Sequence, residues 1–291
     1  MTPHPSGTMQ DKPGSSAQNT PSRLGLIGYP VAHSLSPALF REYFADRPDI
    51  LGKYSYDLIE RSSFDEARSV FMQDYAAVNV TAPFKENAFR SADIHDYSAM
   101  RCRASNLLVK TAMADGKPQV KAYNTDFQAV LDIIRKEYPV PSGHRVLVAG
   151  CGGAGKAATA AALEAGMQTY ICNRTISHAS EFAEYLRTFD PHGCGTVLGT
   201  VAADCSAPAL TALRKAVSQA DLIIYTLPGG DGSSNGLLHL LASDPALLSG
   251  KTVLEANYKD PVLAGRQCRR YIPGLTWLRA QAVATYRTVI G

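Results

Sequence analysis

The chain contains 291 residues, of which 45% are hydrophobic and 19% are charged, as is typical of a globular protein long enough to form two domains. Its formal net charge is only +3 and it has no long run of lysine or arginine, which argues against a nucleic-acid partner. No run of about eighteen apolar residues is present, so the sequence predicts no membrane-spanning helix.

The first 22 residues differ in composition from the rest of the chain. They are rich in Ser, Pro, Thr and Gly and contain no apolar segment of the kind found in signal peptides. We interpret residues 1–22 as a flexible tail. The folded part is predicted to begin with the short buried strand 24–27.

The first half of the chain alternates between apolar segments of strand length and segments with helical periodicity. The predicted elements are a helix from about Pro37, strand 54–58, helix 64–72, strand 77–80, and a hairpin of 107–109 and 120–122 around a turn at Asp115-Gly116. This βαβ alternation is typical of an open, mostly parallel sheet.

The second half continues the alternation. The predicted elements are helix 127–136, strand 146–149, helix 157–165, strands 169–172, 222–224 and 252–254, and a final helix 277–290. The final helix is long enough to return to the first half. The sequence therefore predicts an α/β protein with two open-sheet domains: an N-terminal βαβ domain (residues 23–125 plus 272–291) and a Rossmann-like domain (residues 126–271).

A glycine-rich loop begins at Gly150, just past the midpoint of the chain, so a complete region precedes it. We therefore expect the first domain to bind the substrate and the second to bind a cofactor. Gly150, Gly152 and Gly155 match G-x-G-x-x-G, the dinucleotide-binding turn. With Lys156 the loop also matches a P-loop, but that motif requires Ser or Thr next, where this chain has Ala157. A glycine turn that binds nothing is a third interpretation.

The next predicted strand favours a choice of cofactor. An NAD site usually has Asp or Glu at the end of this strand, whereas an NADP site offers arginine to the 2′-phosphate. Here the acid is absent and Arg174 is present. The residues predict NADP, and the alternative is an arginine that only contacts solvent.

Polar clusters follow three predicted strands of the first domain, where open α/β sheets bind their ligands. The first contains His33, Ser34 and Ser36; its hydroxyls at a helix N-terminus suit a carboxylate ligand, although Ser36 before Pro37 also suits helix capping. The second cluster contains Lys85 and the third contains Asp126. An ion pair between these two would fix an ammonium for proton transfer to a carbonyl, whereas a lone lysine is usually a surface charge.

The six cysteines, by contrast, form neither a C-x-x-C pair nor a spacing typical of zinc sites. They are Cys102, Cys151, Cys172, Cys194, Cys205 and Cys268. We interpret them as free thiols in a reducing compartment, and expect a cytoplasmic protein with no metal site.

Five segments together carry a resemblance to a known family. They are His-Ser-x-Ser-Pro (33–37), Asn-Val-Thr-x-Pro-x-Lys (79–85), Asn-Thr-Asp (124–126), the glycine loop (150–155) and Asn-Arg-Thr (173–175). In this order they resemble the shikimate dehydrogenase family, over about residues 24–291. The resemblance implies NADPH-dependent reduction of 3-dehydroshikimate to shikimate in the shikimate pathway of aromatic amino-acid biosynthesis, by a monomer or homodimer.

The resemblance also implies a role for particular residues. Lys85 would be the catalytic acid and base, with Asp126 as its partner. Ser34, Ser36 and Tyr258 would hold the substrate carboxylate. The ring hydroxyls would be surrounded by Thr81, Asn106 and Gln281 together with the catalytic pair. NADP would be bound by Gly150, Gly152, Gly153, Ala154, Gly155, Asn173, Arg174 and Thr175.

The chain departs from the family pattern at several positions. The departures are Leu107, Tyr225-Thr226-Leu227, Thr276-Trp277, Glu255 and Ala129. In the family, the Tyr225-Thr226-Leu227 and Thr276-Trp277 sites lie near the nicotinamide, and Trp277 has an alternative role as a core anchor for the final helix. Three other functions remain open: a quinate/shikimate dehydrogenase of broader specificity, a non-catalytic sensor of a related ligand, and a P-loop ATPase.

Overall fold

A computed structural model of the protein describes residues 21–111, 116, 118–190, 193–228 and 235–291. The predicted tail lies outside these residues except for its last two, and Ser22 already belongs to the first strand. Asp115 of the predicted hairpin turn also lies outside the described residues.

Nine of the twelve described strands correspond to segments predicted from the sequence, and the strands at 94–95, 196–202 and 270–272 were not predicted. The described strands are β1 (Ser22–Gly28), β2 (Tyr54–Glu60), β3 (Ala77–Val80), β4 (Ile94–His95), β5 (Leu107–Thr111), β6 (Gln119–Tyr123), β7 (Arg145–Ala149), β8 (Gln168–Asn173), β9 (Thr196–Ala202), β10 (Leu222–Tyr225), β11 (Thr252–Glu255) and β12 (Arg270–Ile272).

The described helices connect these strands. They are α1 (Ser36–Tyr43), α2 (Pro48–Lys53), α3 (Phe64–Asp74), α4 (Lys85–Ser91), α5 (Tyr97–Cys102), α6 (Thr125–Glu137), α7 (Gly153–Glu164), α8 (Ile176–Phe189), α9 (Ala207–Gln219), α10 (Gly236–Ser243) and α11 (Gly274–Val289), with a 3-10 turn at Pro245–Leu248.

The strands form two six-stranded sheets, which confirms the predicted class of two open α/β sheets. The first sheet has the order β2-β1-β3-β5-β6-β4, and the second has the order β12-β11-β10-β7-β8-β9. In the first, β1 is parallel to β2 and β3, whereas β5 and β6 form the predicted antiparallel hairpin. All pairs of the second sheet are parallel.

Continuous apolar runs explain why the second sheet is covered on both faces. β10 is buried along its whole length and β7 over four of its five residues, as expected for central parallel strands. The helix after β7 is alanine-rich, and Ala157, Ala158 and Ala160 are fully buried in it. Side chains this small let α7 pack closely against α6 and the sheet.

Helix α11 contacts both sheets. Near its start Trp277 packs into the apolar cluster formed with α6 and α7, and further along Ala282 and Tyr286 pack against Leu24 and Phe40 of the first sheet layer. The helix therefore reaches back across the cleft between the sheets. The exact division of the chain into domains stays a prediction.

Helices α6, α7 and α11 begin two, four and three residues before their predicted starts, and two helix starts bear on the site. Helix α7 begins at Gly153, not at Ala157, so the last glycines of the loop already form its first turn. Ser36 is the first residue of α1, Leu35 occupies the cap position, and no side chain caps the helix. The capping interpretation of Ser36 is therefore wrong, and its hydroxyl remains available for another partner.

Candidate active site

The three predicted polar clusters meet at one edge of the first sheet. The ends of β1 and β3 lie side by side because these strands are parallel, and β6 points the same way because two antiparallel steps separate it from β3. A cavity of about 500 Å³ opens at this edge. Its opposite wall is formed by the glycine loop of the second sheet.

Lys85 and Asp126 form an ion pair inside this cavity. Lys85 Nζ donates to Asp126 Oδ2 at 2.6 Å, and the two side chains are 15% and 8% exposed. Because both are largely removed from water, their attraction is stronger than that of a surface pair. The ammonium is thus held at a fixed position beside the cavity.

Local capping explains how Asp126 reaches this place. The side chain of Asn124 accepts a hydrogen bond from the N–H of Phe127 at 3.1 Å, which starts helix α6. Asp126 then lies in the first turn, where the helix dipole favours a carboxylate. Asn124 also donates to the Ala104 carbonyl, so the helix start is tied to the neighbouring loop.

One end of the cavity is lined by hydroxyl groups. Ser34 Oγ donates to Ser36 Oγ at 3.2 Å, and the phenol of Tyr258 interacts with Ser34. Burial raises the pKa of Tyr258 above its ordinary value, which keeps the phenol protonated and able to donate. Three neutral donors at one place suit an anionic ligand group.

Two carboxylates outside the hydroxyl cluster hold its loops. Glu60 Oε2 accepts from the backbone N–H groups of Val31 and Ala32 at 2.6 and 2.7 Å. Glu255, fully buried, accepts from the N–H groups of Val262 and Leu263 and so fixes the segment after β11 that carries Tyr258. The departure at Glu255 therefore has a structural role.

Amides and hydroxyls form a connected network between these two regions. Asn106 Oδ1 accepts from the backbone N–H of Thr125 at 2.6 Å, and its amide donates to the hydroxyl of Thr125 and, at 3.4 Å, to Gln281 Oε1. Asn79 donates to Thr285 on α11 and accepts from the phenol of Tyr56. The network fixes the side chains that face the middle of the cavity.

The glycine loop has the close contacts expected of a dinucleotide turn. Gly150 has a φ of +114°, and a Cβ there would lie 2.3 Å from Thr226 Oγ1. A Cβ at Gly155 would lie 2.0 Å from the carbonyl oxygen of Gly150, because the helix packs directly on the turn. Only glycine fits at these two positions.

Space for a phosphate lies next to that turn. A Cβ built on Gly152 would meet no atom within 4 Å, so the region in front of α7 is open. The first N–H groups of a helix have no partner within the helix, and they attract anions. Ala157 is fully buried inside α7 and has no hydroxyl, so a P-loop magnesium ligand is missing. The residues present fit a dinucleotide.

The strand after the loop ends in residues that fit NADP better than NAD. Asn173 accepts from the N–H of Cys151 at 3.2 Å and donates to the Thr175 carbonyl, which links the end of β8 to the loop. Arg174 is exposed and, within the described part of the chain, has no ion-pair partner. The residues at the end of β8, Asn173 to Thr175, include no Asp or Glu of the kind that an NAD site uses.

The cavity gathers all the predicted catalytic and substrate-binding residues. It is lined by Ser34, Ser36, Thr81, Lys85, Asn106, Asp126, Tyr258 and Gln281, and by Gly152, Gly153, Ala154 and Gly155 of the cofactor loop. The other predicted cofactor residues, Gly150, Asn173, Arg174 and Thr175, are not among its lining residues. They lie at the loop start and at the end of β8.

Several lining residues were not predicted as site residues. They are Asn79, Glu86, Thr226, Asn257, Lys259 and Trp277. Asn79 is the first residue of the Asn-Val-Thr-x-Pro-x-Lys segment that contains Thr81 and Lys85, so its membership of that segment was an available signal. The resemblance placed Trp277 near the nicotinamide, with a core anchor as the alternative, and neither role included the contact that the structure shows, in which its indole N–H donates to Asp126 Oδ1 at 2.9 Å.

The remaining departures lie in packed positions. Leu107 and Ala129 are buried in separate apolar clusters. The Tyr225 ring is fully buried and its phenol accepts from Asn235 at 2.9 Å, whereas Thr226 donates to the Ala149 carbonyl at 2.9 Å. Only Thr226 of these residues faces the cavity.

Among the described residues, no group of three or more His, Cys, Asp or Glu side chains could hold a metal ion. None of the helices in the same part of the chain has the length and apolar character required to cross a membrane.

Comparison with known proteins assigns the family. The family model described as the shikimate dehydrogenase substrate binding domain matches residues 26–108. A shikimate dehydrogenase (NADP(+)) of Methanocella arvoryzae is 31% identical over 208 residues, which cover 72% of this chain and 70% of that protein. The chain belongs to the shikimate dehydrogenase family. A second member, from Shewanella woodyi, is 36% identical over 57% of this chain and 60% of its own length.

Solved structures of the shikimate dehydrogenase family share the whole fold. The shikimate 5-dehydrogenase of Thermus thermophilus, solved in complex with NADP(H) and shikimate, has a TM-score of 0.69 and 25% identity. The match covers 93% of this chain and 94% of that structure. The enzyme from Aquifex aeolicus has a TM-score of 0.73 at 22% identity, with 93% of each chain covered, and this likeness concerns the fold.

Proposed function

We propose that this protein catalyses the reversible NADPH-dependent reduction of 3-dehydroshikimate to shikimate. The observation that carries the proposal is the 2.6 Å contact of Lys85 Nζ with Asp126 Oδ2, in a cavity bounded by a hydroxyl cluster on one side and a dinucleotide-type glycine loop on the other. Membership of the shikimate dehydrogenase family supports the same reaction.

The proton chemistry belongs to Lys85. When NADPH is bound, its nicotinamide supplies the hydride that reduces the ketone carbon, and negative charge grows on the ketone oxygen. Lys85 donates a proton to that oxygen and later regains one from solvent. A positioned acid of this kind contributes on the order of a hundredfold to ten-thousandfold in rate.

Asp126 has a supporting role in this scheme. Its contact with Lys85 Nζ keeps that nitrogen directed at the reacting oxygen. The carboxylate can also accept a hydrogen bond from a neighbouring substrate hydroxyl, since each oxygen has two acceptor sites.

The other end of the cavity orients the substrate. Ser34, Ser36 and Tyr258 would donate hydrogen bonds to the carboxylate of shikimate, as neutral groups that need no charge partner of their own. The ring hydroxyls would then lie beside Thr81, Asn106 and Gln281, which line the middle of the cavity. Held at both ends, the ring has one orientation toward Lys85.

NADP is the proposed cofactor. The open space at Gly152 and the N-terminus of α7 would receive the pyrophosphate, and Arg174 would pair with the 2′-phosphate. The relatives named above as shikimate dehydrogenase (NADP(+)) support this choice.

A direct assay tests the proposal. Oxidation of shikimate and of quinate, each with NADP and with NAD, is followed at the nicotinamide absorbance. Shikimate with NADP is expected to react fastest. Faster oxidation of quinate would assign the enzyme of broader specificity, and no signal with any pair would leave a ligand sensor and overturn the proposal. A cytoplasmic location and a monomeric or homodimeric state stay predictions.

A further inference from the structure

Asp126 has a second buried partner besides Lys85. Trp277 Nε1 donates to Asp126 Oδ1 at 2.9 Å, while Lys85 Nζ occupies Oδ2 at 2.6 Å. Counted over the whole residue, Trp277 is 4% exposed and Asp126 is 5% exposed. The two oxygens of one carboxylate are thus held from two directions, by helix α11 and by the first residue of α4.

Packing alone does not account for this arrangement. The indole ring fills the apolar cluster shared by α6, α7 and α11, and this packing does not require its N–H group. The N–H, in contrast, is directed at the carboxylate that the proposed mechanism uses. A carboxylate held by Lys85 alone could still rotate about its Cβ–Cγ bond, whereas a second donor fixes its plane.

We propose that Trp277 is a positioning residue, which fixes the Asp126 carboxylate through its indole N–H and thereby aims the Lys85 ammonium at the reacting oxygen. The inference rests on the proposed dehydrogenase function. It assigns a role to a position at which the chain departs from the family pattern, and it predicts that the N–H matters more to turnover than the volume of the ring.

Two substitutions separate the N–H from the volume. Trp277→Phe keeps a large ring but removes the donor. Trp277→His removes the outer ring but keeps a nitrogen, Nε2, at the place of the indole N–H in the five-membered ring. At pH 8.5 a histidine with an ordinary pKa near 6.5 is neutral and can still donate one N–H.

For Trp277→Phe and Trp277→His, the expected order of activity is opposite to the expected order of stability. Phe preserves more buried apolar volume, so its melting temperature should lie above that of the His variant. If Trp277 positions Asp126, kcat for shikimate should fall roughly tenfold in Trp277→Phe, with KM changed less, and should be at least partly restored in Trp277→His. If Trp277 only packs, kcat should follow stability, and that result would overturn the inference.

A matched control comes from the same helix. Tyr286 is equally buried, at 4% exposed, but packs against Phe40 and Phe44 and does not line the cavity. Tyr286→Phe removes a polar group from α11 without touching the Lys85 pair. Its kcat should equal that of the unchanged protein; a fall equal to that of Trp277→Phe would contradict the inference, because disturbance of α11 would then explain both.

Fluorescence gives a readout independent of turnover and of any change at Trp277. The chain contains one tryptophan, so its emission reports this site alone. Asp126→Asn should shift the emission maximum, and shikimate added without cofactor should alter the intensity in the unchanged protein. An emission spectrum unaffected by Asp126→Asn would refute the contact. If the unchanged protein oxidises no substrate but Asp126→Asn still shifts the emission maximum, the proposed function is refuted and the contact is not.

Discussion

Gly153 lies directly against Lys85. A Cβ built on Gly153 would stand 2.7 Å from the Cβ and 2.8 Å from the Cδ of the lysine, so the first residue of α7 contacts the residue that begins α4. Beside this contact, Lys156 Nζ pairs with Glu86 Oε1 at 2.8 Å. The cofactor loop and the proposed catalytic lysine are therefore in direct contact.

This contact predicts that Gly153→Ala lowers turnover. The added methyl group must displace the Lys85 side chain, and a shift of about 1 Å in a catalytic group costs up to a hundredfold in rate. We expect kcat for shikimate to fall tenfold or more, by steady-state kinetics. Gly52→Ala is the matched control, since a Cβ there would meet no atom within 4 Å, and its kcat should not change. Unchanged kcat in Gly153→Ala would show that the contact is not rigid.

The Lys85 and Asp126 pair predicts a loss of chemistry without loss of cofactor binding. Lys85→Ala removes the proton donor, so turnover should fall by roughly a hundredfold to ten-thousandfold. The dissociation constant of NADPH, measured from its own fluorescence, should stay within a factor of a few. Asp126→Asn should behave similarly with a smaller loss. Turnover near that of the unchanged protein in Lys85→Ala would exclude this lysine as the acid.

Arg174 predicts the preference between cofactors. Arg174→Ala removes a charge proposed to pair with the 2′-phosphate, so KM for NADP should rise roughly tenfold. KM for NAD, which lacks that phosphate, should not change. Arg187→Ala on α8 is the control. It also removes an arginine, but one that already has an ion-pair partner, Glu184 at 3.2 Å. An equal rise in KM for both cofactors would argue against a 2′-phosphate contact.

Glu60 predicts an effect on substrate binding from outside the cavity. Its carboxylate holds the N–H groups of Val31 and Ala32, and thereby the loop that precedes Ser34 and Ser36. Glu60→Ala leaves these N–H groups without their partner and should raise KM for shikimate several-fold with a smaller change in kcat. Glu66→Ala, at an exposed position of α3, is the control. Equal KM values in the two variants would rule out this role.

The cysteine in the glycine loop should be chemically inert. Burial disfavours the thiolate and raises the pKa of Cys151 to about 11, so at pH 8 the thiol stays protonated. Cys194 is exposed. Iodoacetamide at pH 8 should therefore modify Cys194 well before Cys151, as followed by peptide mass spectrometry. Raising the pH toward 11 should increase the reaction of Cys151, and modification of both at equal rates at pH 8 would contradict the burial of the loop thiol.

Much of the fold follows from local patterns in the sequence. The apolar run 146–149 and the segment 77–80 became β7 and β3 within a residue of the predicted bounds, since buried parallel strands are apolar along their length. Helix starts were less accurate. Helix α7 begins four residues early because the glycines of the loop can take helical dihedrals while they bend the chain.

The sequence by itself determined the fold class and the segments that carry chemistry, because each polar segment directly follows a strand and strand ends meet at one edge of a sheet. Only the tertiary structure decided which atoms touch. The contacts of Asp126 with Lys85 and with Trp277, and of Gly153 with Lys85, join residues far apart in the chain. Their distances depend on how α6, α7 and α11 pack between the two sheets, which no local pattern encodes.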